Sequence, residues 1–346
     1  MHPLLSVFEE TCATCATKPA ACDQSLALDY QSLRAVAGGL AGQIAAQTTW
    51  PHVGILAPTS AAGAVAIFGC WYAGKVPVPL NFMLAPQELA KVIRDAGLDL
   101  VLTVERFAPA AQAAGLRTLP LSGQTLVPGR CAPPAATPDD VGALIYTSGT
   151  SGDPKGVCLT FDNLVQNARA CIAAAEIQPD QVFLGLLPQF HAFGFTANTI
   201  VPLLLGATVH YLPRFSPVAV VHTIAERQVS VFITIASMFA ALAAAKDATR
   251  EQFASLTLPV SGGEPLPAKV AQTFEQRFGV RILEGYGMTE ASPVITLNTP
   301  RAHRPGSVGR PLPGITVKAV DEFGRDLRRA ATANSSSAAT ASCAVI

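Results

Sequence analysis

The feature that most constrains the fold of this chain is an alternation of helical segments with short apolar runs. The segment 30–47 is predicted to be a helix, because its apolar residues recur at helical spacing on one face. Those residues are Leu33, Val36, Leu40 and Ile44. The apolar runs are continuous rather than alternating, which is typical of strands buried on both faces. The alternation therefore predicts an α/β fold, with a parallel sheet covered by helices on both faces.

The same pattern gives bounds for each element. Helices are predicted at 3–16, 30–47, 61–73, 86–96, 161–175, 196–205, 216–226, 237–245 and 267–278. Strands are predicted at 52–57, 76–80, 98–103, 141–146, 181–187, 207–212, 229–235, 258–261 and 281–284. Residues 119–140, which are rich in Pro, Gly and Ser, are expected to be irregular.

A loop rich in hydroxyl groups and glycine follows the predicted strand 141–146. Its glycines can turn backbone N–H groups toward an anion, its hydroxyls add donors, and a lysine adds a positive charge. The residues are Thr147, Ser148, Gly149, Thr150, Ser151, Gly152, Lys155 and Gly156. The spacing is not that of the Walker loop, because Pro154 stands fifth after Gly149 and a glycine follows the lysine. We interpret the loop as a phosphate cradle, with a plain surface connection as the alternative.

Composition narrows the class of ligand. Only 14% of residues are charged, and 24 basic residues balance 24 acidic ones. This balance gives no support for a nucleic-acid partner, so a small molecule is the better expectation. The uncharged stretch 228–245 is predicted to be a strand followed by a helix rather than a transmembrane segment. The first residues lack a basic leader, which favours a cytoplasmic location.

The cysteines are expected to be free thiols, because the chain is long and carries no export signal. Eight are present, at 12, 15, 22, 70, 131, 158, 171 and 343. Cys12, Cys15 and Cys22 could supply three zinc ligands, but no second Cys or His pair nearby completes such a site.

Several predicted strands end at polar turns that contain glycine. These turns are 188–194, 262–265 and 285–290, in addition to the loop after 141–146. In open parallel sheets, ligands bind in the crevice beyond such strand ends. In the last turn, Tyr286 offers a flat face for a purine, Thr289 a hydroxyl for a phosphate oxygen, and Glu290 a carboxylate suited to Mg²⁺. A glycine turn with an incidental acid is the alternative.

Together and in this order, these segments resemble the adenylate-forming (AMP-binding) superfamily. The motifs YTSGTSGDPKGV and EGYGMTEASPV are near-complete forms of two of its signatures, and the resemblance covers roughly residues 10 to 327. FHAFGFT, LNFMLAPQELAKVIRDAG and GSVGRPLPG look most like long-chain fatty-acid CoA ligases and acyl-carrier-protein synthetases. An aryl-acid ligase, an adenylation domain and a non-catalytic nucleotide- or acyl-binding module remain alternatives.

The resemblance implies an organisation of domains. It implies two packed, doubly wound, mostly parallel αβα subdomains at about 1–180 and 181–300, and the start of a small β-barrel at 301–327. Residues 328–346 contain mainly Ala, Ser and Thr without apolar periodicity, so we expect a disordered tail there.

The resemblance also implies an activity: a carboxylic acid attacks ATP to give an acyl-adenylate, and a thiol then displaces AMP. ATP and Mg²⁺ are the implied cofactors, and CoA or the phosphopantetheine of an acyl carrier protein is the implied acceptor. Catalytic roles are implied for Lys155, His191, Thr289 and Glu290. Magnesium would be held by Glu290 and Thr150. Nucleotide binding is implied for the loop residues 147–152 and Lys155, and for Gly262, Gly263, Glu264, Glu284, Gly285, Tyr286, Gly287 and Thr289.

The resemblance stops after Leu327, where family members would continue into a mobile C-terminal domain with a further catalytic lysine. We therefore expect ATP binding with little or no complete thioester synthesis by this chain alone. A frameshift or an artificial end is the hypothesis for the change in composition, and a family-like continuation in another reading frame would support it. Peripheral membrane contact is compatible with the resemblance, whereas acyl length and oligomeric state are not readable from the sequence.

Overall fold

The computed structural model describes residues 1–148, 154–320 and 342–345. The α-helices within these ranges are α1 Pro3–Thr14, α2 Tyr30–Gln47, α3 Ala61–Tyr72, α4 Pro86–Asp95, α5 Ala108–Ala113, α6 Phe161–Ala175, α7 Ala192–Phe195, α8 Val201–Leu205, α9 Pro217–Glu226, α10 Ala236–Ala244 and α11 Ala268–Phe278. A π-helix, Thr196–Ile200, joins α7 to α8. Short 3₁₀-helices lie at Glu105–Phe107, Glu251–Phe253 and Thr289–Ala291.

The strands fall into two larger sheets and two pairs. They are β1 Pro19–Cys22, β2 Ala27–Asp29, β3 His52–Leu56, β4 Val76–Pro79, β5 Leu100–Thr103, β6 Arg117–Pro120, β7 Val141–Ser148, β8 Pro154–Thr160, β9 Val182–Gly185, β10 Thr208–Tyr211, β11 Val231–Thr234, β12 Leu258–Ser261, β13 Leu283–Gly287, β14 Val294–Leu297, β15 Arg310–Pro311, β16 Val317–Val320 and β17 Ser342–Val345.

The larger sheet has nine strands in the order β15-β14-β13-β12-β11-β9-β10-β1-β2. Its six central strands, from β13 to β1, are mutually parallel. Antiparallel strands flank them, with β2 at one edge and β14 and β15 at the other. The second sheet, β4-β3-β5-β6, is wholly parallel. The predicted α/β class with mostly parallel sheets is confirmed.

The two sheets share one hydrophobic core. Trp71 of α3 is fully buried, and its indole N–H donates to the carbonyl of Gly142 at 2.7 Å. Its ring also meets Phe161 of α6 and Phe195 of α7 edge to face. A helix that covers the smaller sheet is thereby packed against the helices that cover the larger one.

The predicted division near residue 180 does not follow the sheets. Strands β1 and β2 come from the first 30 residues, yet β1 pairs in parallel with β10 in the larger sheet. These strands could not be predicted from the sequence, because runs of four and three residues are too short to show a period. Helix α5 and strand β6 were not predicted either, although residues 119–140 are otherwise largely irregular as predicted.

The strand predicted at 141–146 is not part of a parallel sheet. It extends to Ser148 and pairs antiparallel with β8 as an isolated hairpin. Strand β8 precedes α6 directly and was not predicted, because its sequence contains a proline and a glycine and most of its residues are not buried.

The C-terminal part of the chain differs from its prediction in two places. Strand β15 extends the larger sheet, and β16 pairs antiparallel with β17. Residues 342–345 therefore form a strand where a disordered tail is expected, because main-chain pairing with β16 requires no apolar side-chain period. Residues 321–341, with most of the predicted tail, lie outside the described residues.

Two further expectations concern membranes and thiols. No helix in the described ranges combines the length and the apolar composition needed to cross a bilayer. The seven cysteines at 12, 15, 22, 70, 131, 158 and 171 are free, as predicted.

Candidate functional site

One cavity of about 330 Å³ lies between the larger sheet and the helices that cover one of its faces. Its sheet side consists of β11, β12, β13 and β14, and its helix side consists of α6, α7, the π-helix and the start of α8. The volume is within the range usual for small-molecule sites. It is therefore the candidate site of the described structure.

The mouth of the cavity brings together residues from three of the predicted turns. The predicted site residues that line it are His191, Gly262, Gly263, Gly285, Tyr286, Gly287 and Thr289. The turns meet because they follow strands that end at the same edge of a parallel sheet. Phe193 and Met288 also line the mouth, and neither is among the predicted site residues.

Below the mouth, the cavity continues as a narrow apolar slot along the sheet. Leu258 and Val260 line the slot from one face of β12. Gly262 lies on the same face just beyond the strand and lines the end of the slot nearest the mouth. From Leu258 to Gly262 the slot runs about 13 Å, at roughly 3.3 Å per residue of strand. Among the described lining residues, none is Asp, Glu, Lys or Arg.

The opposite wall of the slot is built from small side chains. Ala197 of the π-helix and Cys171 and Ala175 of α6 leave the space open. Helix α6 ends shortly before β9 begins, so its last residues lie near the amino ends of the parallel strands and form the deep end. Burial raises the pKa of the Cys171 thiol to about 12, so it is uncharged at neutral pH.

His191 stands at the mouth, immediately before α7. Its ring contacts the ring of Phe190 with centroids 4.6 Å apart, and the residue is exposed at the surface. Desolvation lowers the pKa of His191, because the surrounding side chains disfavour the charged imidazolium. A neutral imidazole at this place can donate a hydrogen bond to a carboxylate without adding a second charge.

The hairpin β7–β8 carries the hydroxyl-rich loop. Thr147 and Lys155 are directly opposite each other at its end, so both side chains lie on the same face of the hairpin. A Cβ at Gly156 would come within 3.2 Å of the Tyr146 ring, which explains the glycine beside Lys155. Residues 149–153, including the predicted binding residues 149–152, lie outside the described ranges.

The hairpin lies against the 3₁₀-helix Thr289–Ala291, which β8 contacts. Lys155 and Glu290 are both exposed, and neither lines the cavity. The structure thus places the strand of Lys155 next to the turn that carries Thr289 and Glu290.

Two acidic residues predicted to bind the nucleotide accept hydrogen bonds from backbone N–H groups. Glu264 accepts a hydrogen bond from the backbone N–H of Ser237 at 2.6 Å, in the first turn of α10. Glu284 accepts one from the backbone N–H of Leu266 at 3.1 Å. Neither carboxylate lines the cavity. The first bond ties the turn that carries Gly262 and Gly263 to α10, and the second ties the end of the same turn to β13.

The segment Gly285–Gly287, which the sequence presents as a turn, continues strand β13. It does so because β14 pairs with it antiparallel. A Cβ at Gly287 would stand 2.0 Å from the carbonyl oxygen of Pro293, so only glycine permits this approach. Tyr286 is 40% exposed at the cavity mouth, which leaves its ring available to stack on a base.

The turn after β13 is hydrogen-bonded to α6 by a residue that was not predicted from the sequence. Asn167 of α6 is 5% exposed, and its side-chain N–H₂ donates to the carbonyl of Val294 at 2.8 Å. It also donates to the carbonyl of Ala291 at 3.4 Å. No sequence signal marks this residue, because its partners are more than 120 positions away.

The described residues contain no cluster of three or more His, Cys, Asp or Glu side chains suited to a metal. The zinc set considered for Cys12, Cys15 and Cys22 is therefore not assembled. Magnesium needs less from the protein, because it is usually bound by one or two carboxylates together with substrate phosphates. Glu290 alone, next to a hairpin with phosphate-binding chemistry, fits such a site.

Comparison with known proteins adds a family and several relatives. The family model described as AMP-binding enzyme matches residues 8–332. Feruloyl-CoA synthase of an Amycolatopsis species is 35% identical over 295 residues, which is 82% of this chain and 59% of that protein. The mitochondrial malonate–CoA ligase ACSF3 of Xenopus laevis is 31% identical over 330 residues, which is 86% of this chain and 56% of that protein.

Among solved structures, apo MatB from Rhodopseudomonas palustris superposes with a TM-score of 0.83. It is 27% identical, and the match covers 95% of this chain and 68% of that one. The chain thus spans less than three fifths of the length of the two curated relatives. These relatives are named for different acids, so they do not single out the fatty-acid branch that the motifs favour.

Proposed function

We propose that this chain, which belongs to the AMP-binding enzyme family, activates a carboxylic acid as its acyl-adenylate for transfer to a thiol. The observation that carries the proposal is the single cavity in which an apolar slot opens onto His191, Tyr286 and Thr289. One end of this cavity suits an acyl tail and the other a nucleotide. Its mouth lies at the carboxyl edge of the parallel strands, where α/β folds bind ligands.

The substrate class that fits the slot is a monocarboxylic acid with a slender apolar tail. Because no charged side chain of the described lining faces the slot, a second carboxylate such as that of malonate would be buried without a partner. A phenylpropenoic acid and a fatty acid of medium length both fit a slot about 13 Å deep. The exchange assay described below distinguishes these two substrates. A role in fatty-acid or lipid metabolism is proposed only if the fatty acid is the substrate.

The first half-reaction forms a bond between a carboxylate oxygen and the α-phosphorus of ATP. The bond from that phosphorus to the bridging oxygen breaks, and pyrophosphate leaves with the electron pair. His191 would donate a hydrogen bond that orients the carboxylate at the mouth. Tyr286 would hold the adenine by stacking, and the Thr289 hydroxyl would donate to an α-phosphate oxygen.

Negative charge accumulates on the phosphates during this step. Lys155 and the Thr147 hydroxyl, which project from the same face of the hairpin, would bind the β- and γ-phosphate oxygens. Glu290 would hold the Mg²⁺ ion, which neutralises phosphate charge when bound. Thr150 is proposed as a second ligand by resemblance and lies outside the described residues.

In the second half-reaction, a thiol attacks the acyl carbonyl carbon and AMP leaves. The acceptor is proposed to be CoA or a carrier-protein phosphopantetheine, in the cytoplasm. The bond from the acyl carbon to the AMP oxygen breaks, AMP leaves with the electron pair, and the proton of the thiol passes to solvent.

ATP–pyrophosphate exchange tests the proposal most directly. The purified chain is assayed with octanoate, palmitate, ferulate, benzoate and malonate, each with and without Mg²⁺. We expect exchange that depends on Mg²⁺ with octanoate or ferulate, less with palmitate, and none above background with malonate. Exchange with malonate alone would contradict the substrate class. ATP binding without acid-dependent exchange would favour a non-catalytic binding module.

A further inference from the structure

We infer that Asn167 is a positioning residue that fixes the turn bearing Thr289 and Glu290 relative to the hairpin bearing Lys155. The inference rests on the proposed function, because it concerns how two groups of ATP-binding residues are held in register. Asn167 itself does not line the cavity. It acts through the backbone of the turn.

The Asn167 amide bridges both ends of the loop after the 3₁₀-helix. Its N–H₂ group donates to the carbonyls of Ala291 and Val294, at 3.4 and 2.8 Å. Its oxygen accepts from the backbone N–H of Val294 at 3.3 Å. One buried side chain therefore satisfies three main-chain groups of this segment.

The turn also contains hydrogen bonds between its own backbone groups. A restraint at Asn167 is therefore transmitted to Thr289 and Glu290 in the turn. The N–H of Met288 donates to the carbonyl of Pro293 at 2.9 Å, and the N–H of Ser292 donates to the carbonyl of Thr289 at 3.1 Å. Ser292 has a φ of +76°, a conformation that costs a non-glycine residue energy and needs support from its surroundings. Asn167 supplies that support on both sides of Ser292.

The other end of the restraint is the hairpin. Helix α6 begins at Phe161, directly after β8, and its first turn is capped by reciprocal bonds between Thr160 and Asn163. Asn167 lies less than two helical turns further on. A stiff path of one strand and one short helical stretch therefore connects Lys155 to the turn of Glu290.

This arrangement matters most when both sides bind the same ligand. Phosphates bound at the hairpin and a magnesium ion bound by Glu290 would have to lie close together, because the ion would neutralise charge on those phosphates. A turn that drifts relative to the hairpin would still accept adenine but would lose the contribution of the metal. Asn167 thus has its effect on the metal-dependent part of ATP binding.

The test measures ATP affinity by calorimetry in Mg²⁺ and in EDTA for the full chain and three variants. Asn167→Ala removes the amide, and Asn167→Asp keeps its shape but replaces the N–H₂ donor. Gln166→Ala is the matched control, since it removes an amide side chain from the exposed face of the same helix, where its N–H₂ group donates to Asp162 and not to the turn. Unfolding temperatures are recorded for all, and titrations are done well below them.

We expect both Asn167 variants to raise the Kd for Mg·ATP about tenfold, which corresponds to the loss of one or two buried hydrogen bonds. The Kd for metal-free ATP should stay within about twofold, and Gln166→Ala should change neither of the two Kd values. Hydrogen exchange of the peptide 288–294 should accelerate in Asn167→Ala and not in Gln166→Ala.

A lowered unfolding temperature with an unchanged ratio of the two Kd values would overturn the inference and leave Asn167 a purely structural residue. An equal rise in both Kd values would also overturn it. If the unaltered chain binds no ATP in either condition, the proposed function fails first and the inference falls with it. That outcome is distinct, because it is read from the unaltered chain.

Discussion

The apolar slot of the cavity and the hairpin β7–β8 are built in different ways. The slot lies between the nine-stranded sheet and its covering helices, and its walls are part of the main hydrophobic core. The hairpin has no hydrogen-bonded neighbour in either larger sheet, and β8 is mostly unburied. Strand β7 lies beside β4 and is packed into the core through Ala143 and Ile145, so the exposed part is β8 and the end that carries Lys155.

Under the proposed function, substrate selection and charge stabilisation would depend on separate parts of the structure. A substitution in the slot changes a packed core, so it should alter both the volume available to the acyl tail and the free energy of unfolding. A substitution at the end of the hairpin changes exposed polar side chains, so it should alter the position and charge of the groups proposed to bind phosphate. Substitutions in the two regions should therefore separate cleanly in their effects.

The largest effect is expected from removing the charge at the end of the hairpin. Lys155→Ala should lower the rate of ATP–pyrophosphate exchange by about a hundredfold to a thousandfold, because a preorganised charge at the phosphates is lost. Lys269→Ala, at an exposed position on α11, is the control and should leave the rate within twofold. The midpoint of urea unfolding should be similar in both variants. A Lys155 variant with full exchange would remove the hairpin from the mechanism.

A pH-dependent effect on the free energy of unfolding is expected from His2, which packs against the first residue of α6. His2 is 2% exposed, accepts a hydrogen bond from the backbone N–H of Leu5, and meets the ring of Phe161 edge to face. Burial lowers the pKa of His2 to about 4. Since the unfolded chain binds this proton near pH 6.5, the contribution is complete above pH 6.5 and is lost as pH falls toward 4.

Urea unfolding at pH 7 and pH 4.5 measures this contribution, which should be roughly 2 kcal/mol. The variant His2→Asn keeps a side chain that can cap the helix but cannot become charged in this range. Its stability should fall less than that of the unaltered chain between the two pH values. Equal losses would show that His2 is not the group responsible.

In the slot, a matched pair of substitutions on one helix tests the depth. Ala175→Leu places a larger side chain at the deep end, whereas Ala173→Leu adds the same group on the exposed face of α6. The first should raise the KM for octanoate about tenfold and leave that for a short acid unchanged, since a few methylene groups account for that factor. The second should change neither. An equal rise for short and long acids would contradict the orientation of the slot.

The smallest effect is expected at the side contact of the hairpin. The hydroxyl of Tyr146 donates to Asp95 at the end of α4, at 2.5 Å. Tyr146→Phe removes this bond and should raise the Kd for Mg·ATP about threefold, which is close to the usual net value of one hydrogen bond. Acid KM values should not change. A change in acid KM alone would mean that the hairpin and slot are coupled after all.

The elements with a clear hydrophobic period were predictable from the sequence. The prediction for α2 is confirmed at both ends, because its apolar face and the Asp29 cap define where the helix starts. The helix predicted at 196–205 is confirmed in part: helical structure already starts at Ala192 and contains a π-helical stretch. The π-helix could not be read from the sequence, because it depends on tertiary packing.

The candidate site was predictable where it follows from strand ends and not where it follows from distant backbone contacts. His191, Gly262, Tyr286 and Thr289 meet at one cavity because a parallel sheet aligns its carboxyl edges. The pairing of Lys155 with Thr147 depends on an antiparallel register that no local signal specified. The roles assigned to these residues stay predictions, which the experiments above test.

The position of β1 in the larger sheet has a consequence for synthesis of the chain. The hydroxyl of Thr208, on the neighbouring strand β10, donates to the carbonyl of Pro19 across a separation of 189 residues. At typical translation rates of roughly 5 to 20 residues per second, β1 leaves the ribosome some ten to forty seconds before its partner strand exists. During that time its pairing edge is open, so a growing chain has to keep it covered by other means or shielded by a chaperone.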